Sequence, residues 1–177
     1  MKTIVKYVLV STLFLAFASC EEADELTEFD VSDTFNASWD VNVTEPVTEP
    51  QEVTYSDTID ITENADILDN YGDLESLVIH EFYIEIKDFD GNEDAVIDNT
   101  TVTINDLVID LGTINPYSAD SADQLIQIGN SQQIAAVASM LMNSSTIDMT
   151  FSGMMDNTPA TFTVEGTLSL TATFDVL

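Results

Sequence analysis

Cysteine, histidine and basic residues are almost missing from this 177-residue chain. It has one cysteine (Cys20), one histidine (His80), no arginine and three lysines, of which only Lys87 lies beyond Cys20. A single cysteine excludes an internal disulfide, so stability has to come from burial. One histidine and one cysteine are too few for a zinc-type site, and a Ser-His-Asp arrangement would have to use His80. Without arginine, no guanidinium clamps a phosphate or carboxylate substrate. Without a basic patch, no counterion release drives nucleic-acid binding, so nucleic acid is excluded as a partner. Long apolar runs are missing too. The apolar run near the start, Tyr7 to Phe17, has eleven residues, well short of the roughly 20 needed to span a bilayer.

Acid is what the chain has. All 33 Asp and Glu residues follow Cys20, where they face one lysine, for a formal charge of −32. Such a charge favours solubility, opposes compaction and repels anionic lipid headgroups. Added salt relieves it by screening. Periodic Val, Ile, Leu and Phe nonetheless argue for a packed core rather than disorder.

The first twenty residues read as an address. Lys2 and Lys6 precede the apolar run, and Phe17-Ala18-Ser19 leads into Cys20. A basic start, a short apolar middle and a small-residue exit are the marks of a secretory signal. The tripeptide before Cys20 resembles the lipobox of bacterial lipoproteins, with Phe17 standing where leucine is usual. The resemblance implies that 1–19 is removed and Cys20 becomes a lipid-modified N-terminus. The bilayer would then be met only through acyl chains, several of which hold a protein stably where one does not. The competing reading is an ordinary cleaved signal with an incidental cysteine. Glu21-Glu22-Ala23-Asp24-Glu25 resembles the surface-export signal of Bacteroidota outer-membrane lipoproteins. It implies an outer-membrane, surface-facing protein; the alternative is a tether facing the periplasm.

An acidic tether over 20–27 would then lead into one domain over 28–177. Odd positions from Phe29 to Val43 are apolar apart from Asp33, and even positions are polar, the pattern of a half-buried strand. Its length predicts a bend or bulge near Asp33. Val53, Tyr55, Ile59 and Ile61 continue the alternation after a proline-containing loop. Thr62 is a candidate cap for a short helix reaching Tyr71 and ended by Gly72. Val78, His80, Phe82, Ile84 and Ile86 share the even face of the next strand, which turns His80 inward or places it at the core's margin, as a structural residue. Val96 to Leu111 is β-rich with a register change that reads as two strands or a bulge around Asn105-Asp106. Ser118 is a candidate start for a helical turn ended by Gly129. Asn130 with Gln133 forms a capping box before Ile134, Val137, Ala138 and Leu141, which predicts the main helix near 131–142. Two clean alternations, Ile147 to Met155 and Phe162 to Val176, predict a long antiparallel hairpin. About eight strands at this spacing imply an antiparallel β-sandwich, Ig-like or jelly-roll-like.

Four site candidates follow. Asp88, Asp90, Asn92 and Asp94 alternate oxygen ligands through an expected turn and resemble the start of an EF-hand loop, which implies calcium. The glycine there stands at the fourth position instead of the sixth, and the competing reading is a plain β-turn with no cofactor. Thr58 in Asp57-Thr58-Ile59 and Ser121 in Asp120-Ser121-Ala122 resemble the O-glycosylation motif of Bacteroidota. Trp39 reads as core, with Tyr83 and Tyr117 the more exposed aromatics. The methionines of Met140-Leu141-Met142 and Met154-Met155 read as core filler. Together these imply a non-catalytic binding or interaction module with an unidentified protein or glycan partner. The alternatives are a calcium-dependent adhesin or glycan-binding domain, and a hydrolase using paired carboxylates.

Overall fold

The computed structural model describes residues 28–46 and 49–175. The signal-like segment, Cys20, the tether and Val176 lie outside the described residues.

Eight strands form two antiparallel four-stranded sheets. In chain order they are β1 (Glu28–Val43), β2 (Gln51–Asp60), β3 (Leu74–Gly91), β4 (Val96–Ile104), β5 (Leu107–Ile114), β6 (Ile126–Gln127), β7 (Thr146–Asp156) and β8 (Ala160–Asp175). One sheet has the order β1-β8-β3-β6 and the other β2-β7-β4-β5. The pairings nest: β1 with β8, β2 with β7, β3 with β6, β4 with β5. A chain folded on itself in four nested pairs and rolled into two sheets is a jelly roll, so of the two expected sandwich types this is the second.

Alternation in the sequence becomes burial here because each sheet has one wet and one dry face. Along β8 the even residues from Ala160 to Phe174 are buried and the odd ones face outward. Opposite them come Ile147, Met149, Phe151 and Met155 of β7, and Trp39 of β1 stacks on Phe151 across the core at 6.2 Å. Trp39 is a core residue, as expected. Its ring lies over Gly166, where a Cβ would come within 3.3 Å of it.

The outer faces are held by short polar pairs between strands. Examples are Ser32 with Thr171, Thr167 with Asn36 and Thr173 with Asp30 on the first sheet, and Ser56 with Thr150 and Thr101 with Ser152 on the second. Hydroxyls donating to carboxylates and amides tie neighbouring strands together across these acidic faces.

Three helices fill the crossings. Helix α1 (Ala65–Asn70) is preceded by a 3-10 turn, Ile61–Glu63, and followed by another, Tyr71–Asp73. Its cap is Asn64, and Asp60 caps the turn before it, so Thr62 is not the cap the sequence predicts. Helix α2 (Pro116–Ser121) starts two residues earlier than expected, because Asn115 caps it and Pro116 fits the first turn. Helix α3 (Ser131–Asn143) has the anticipated reciprocal Asn130–Gln133 capping box and buries Val137, Ala138 and Leu141.

Three further expectations are corrected. β1 pairs with β8 in unbroken register from Glu28 to Val43, with no bulge at Asp33. Asp33 is instead accommodated half-buried within this edge strand, where its carboxylate accepts from the Asn64 side-chain amide at 2.6 Å. Register shifts fall instead on β3 and β4, and the one between Ile79 and Glu81 of β3 exchanges its faces. Leu77 is therefore buried, whereas Val78 and His80 point out. Finally, β7 and β8 do not form a hairpin. Asn157 to Pro159 carries the chain from one sheet to the other, and each strand sits between two neighbours of its own sheet. Each is an interior strand with a whole apolar face to bury, and facing each other across the core does that.

Candidate functional site

The turn predicted for calcium is mostly strand. Asp88 and Asp90 belong to the end of β3, where a register shift between Lys87 and Asp90 leaves Asp88 at φ 54°. Asn92 accepts from the Asp94 amide at 3.1 Å in an Asx turn, and the Asp94 carbonyl accepts from Asn157. Among the described residues no group of three or more His, Cys, Asp or Glu side chains is placed to hold a metal ion. Asp120 of α2 accepts from the Phe89 amide at 3.2 Å, and Tyr117 packs on Phe89 at 5.8 Å, so this corner is tied to α2 by protein contacts.

His80 is exposed, and its Nε2 lies 2.8 Å from the Thr171 hydroxyl. It therefore belongs to the wet face, not the core margin. Ser121 is the exposed last residue of α2.

Thr58 opens onto a polar recess. A cleft of about 840 Å³ on the outer face of the second sheet is lined by Ser56, Asp57 and Thr58 of β2, Asp148 and Thr150 of β7, and Asn105 and Asp106. The lining is pre-tied. Thr58 donates to Asp148 at 2.8 Å, and the Asp148 amide donates to the Asn105 side chain at 2.9 Å. Asp57 accepts from the Ser38 amide of β1 at 3.2 Å, which fixes its carboxylate against the neighbouring sheet. No aromatic ring lines this cleft.

The second recess is of the opposite kind. A groove of about 490 Å³ runs between β3 and α3, lined by Leu77, Val78 and Ile79 on one side and Ile134, Ala138 and Met142 among others on the other. Val78 is 53 % exposed and Met142 39 %, so Met142 is a rim residue and not core filler. β3 meets β6 only at Tyr83 and Ile84, and beyond that Ile128 donates to the Phe82 carbonyl at 2.9 Å. Gly129, at φ 75°, then swings the chain out of strand direction into the capping box of α3. The edge of β3 from Leu74 to His80 is consequently left beside a helix instead of a strand.

The groove's sequence signal is an absence. From Gln124 to Ile147 the chain has no charged residue at all, in a protein with acid at every fifth or sixth position. Periodicity alone reports α3 as a covering helix and does not show that part of its apolar face stays uncovered.

The chain's one described cation, Lys87, sits on the outer face of the first sheet, 2.7 Å from Glu165 and 3.0 Å from Glu85. Those two hydrogen bonds hold its ammonium well above the usual lysine range. Elsewhere Glu28 is raised above the ordinary carboxylate range, chiefly by the charge of Glu75, although it is fully exposed. Asp60 is lowered, first by the Thr62 hydroxyl that donates to it at 2.6 Å.

Fold and surface thus define an acidic jelly-roll sandwich that carries a polar cleft at Thr58 and an apolar groove beside α3. No family model, curated protein or solved structure matches the chain.

Proposed function

We propose that this chain is a lipid-anchored envelope protein, held by acyl chains on Cys20 at the outer membrane and facing the cell exterior, whose jelly roll is a non-catalytic interaction module. The observation that carries the reading is the uncharged groove between β3 and α3 on an otherwise acidic surface. An exposed apolar recess on a domain whose solubility is otherwise secured by charge is a feature of contact surfaces. The anchor supports the same reading, because a tethered domain needs no affinity of its own for the bilayer.

The test is photo-crosslinking on intact cells from residues placed at Val78 and Met142. Capture of a recurrent extracellular or outer-membrane protein supports the module. Capture of periplasmic neighbours alone would overturn the outward orientation, and a mature protein without acyl mass on Cys20 would overturn the anchor.

A second reading is favoured by the polar cleft. Hydroxyl, amide and carboxylate groups fixed around about 840 Å³ suit a polyhydroxylated ligand, with orientation set by hydrogen bonds and without ring stacking. A panel of immobilised glycans tests it. Binding to one class, lost in Asp148→Asn, is the expected result under that reading; uniform silence would sink it.

A further inference from the structure

We infer that the edge of β3 beside α3, at Leu77–Ile79, accepts an extended segment of a partner protein, flanked by lysine or arginine, as an added strand. The inference rests on the interaction-module reading and specifies how the groove is filled.

Three observations meet there. The first is backbone. β6 already adds a short antiparallel strand to β3 at Tyr83 and Ile84, and only the turn at Gly129 stops it from continuing along the same edge. A strand edge that has one short partner offers unused main-chain hydrogen-bonding groups to the next extended chain. The second is side-chain placement. Leu77 and Ile79 lie on the core side and Val78 on the outer side, so the groove straddles the edge and takes alternate residues of an extended chain on either side.

The third is charge, and it selects the occupant. The helix side of the groove carries none, while along β3 the exposed Glu75 and Glu81 stand two residues to either side of the lining residues Leu77–Ile79. Glu75 also crowds Glu28, and no cation lies among the neighbours that shift it. A cationic end of an incoming strand finds uncompensated carboxylates there. A second copy of this chain would bring a formal charge of −30 to the same place, and its own acidic run Glu21–Glu25 is of the same sign. Both are the wrong charge.

The experiment uses the purified full chain and labelled nonapeptides of alternating valine and threonine, read by fluorescence anisotropy. One peptide has lysine at both ends, one glutamate, and one lysine ends with a central proline. Binding of the lysine-ended peptide is expected, weakened by roughly tenfold or more with glutamate ends or central proline. Val78→Asp and Met142→Asp are expected to weaken it similarly while adding attraction for lysine, and both sites are exposed enough for the fold to survive, which a thermal melt checks. Equal binding of the proline peptide, or indifference to both substitutions, would mean simple attraction to an acidic domain and would overturn the inference. A concentration-dependent dimer broken by Val78→Asp would also overturn it, in favour of a second copy. If crosslinks from Val78 capture a partner but the lysine peptide does not bind, strand addition fails and the module reading stands. If neither occurs, both fail.

Discussion

Glu28 and Glu75 show at single-residue scale what the charge imbalance does. They face each other on the first sheet with Asp175 and Asp30 nearby, and the repulsion makes Glu28 hold a proton more tightly when folded than when unfolded. For a carboxylate raised in this way, the penalty is fully present above its folded value. It is relieved as the pH falls through that value towards the unfolded one, about 4.3. Glu28→Gln is therefore expected to melt higher than the parent at pH 7, with the advantage gone by about pH 4. A series of melts against pH checks this; a lower melting temperature at pH 7 would contradict it. Asp60 has the opposite sign, its contribution present at neutral pH and lost as the pH falls through its lowered value.

At the scale of elements, β3 is where the reading from sequence and the structure part. Strict alternation runs through β1, β7 and β8 because each keeps one face on the core, and those faces were legible residue by residue. The capping box of α3 was legible for the same reason, since both partners are local. In β3 the extra residue between Ile79 and Glu81 exchanges the faces, and nothing in the local pattern marks it, because Val78, Phe82, Ile84 and Ile86 form an even-numbered set without it. His80 and Val78 were therefore assigned inward, and the groove could not be anticipated. The hairpin error at β7 and β8 has another cause. Alternation states that a strand has a dry face but not which sheet it joins, and a short link of Asn157 to Pro159 serves a hairpin or a crossing equally well.

The far end of β3 makes a sharper test. Gly91 has φ 139°, and a Cβ there would lie 2.4 Å from the Pro159 carbonyl oxygen and 2.7 Å from the Ala160 Cα, both backbone atoms. The next amide, of Asn92, donates to that same carbonyl at 2.8 Å. Gly91→Ala therefore meets an unfavourable backbone conformation and a contact that no rotamer relieves, and is expected to cost about 3 kcal/mol. Gly72→Ala, with open space around it, is the control, expected within about 0.5 kcal/mol of the parent. Denaturant titration of the two variants distinguishes them.

For the molecule as a whole, stability should follow ionic strength more than specific pairing. One lysine serves the described surface, and it is shared by Glu85 and Glu165. Sodium chloride is expected to raise the melting temperature steadily as screening weakens carboxylate repulsion. Calcium chloride at matched ionic strength decides the separate question of Asp88, Asp90, Asn92 and Asp94. A rise beyond the sodium curve, removed by Asp90→Asn, would show a bound ion there. Coincident curves would show none.

The nested pairing has a consequence in time. β1 lies beside β8, so Glu28 is matched with Asp175 and the first strand of the domain has no neighbour in its sheet until the last one exists. Closing loops this long before any contact rewards them makes folding slow. A chain emerging from the ribosome holds β1 unpaired until β8 has emerged. A jelly roll in which these two strands complete one another thus postpones closure of this sheet until β8 has been delivered.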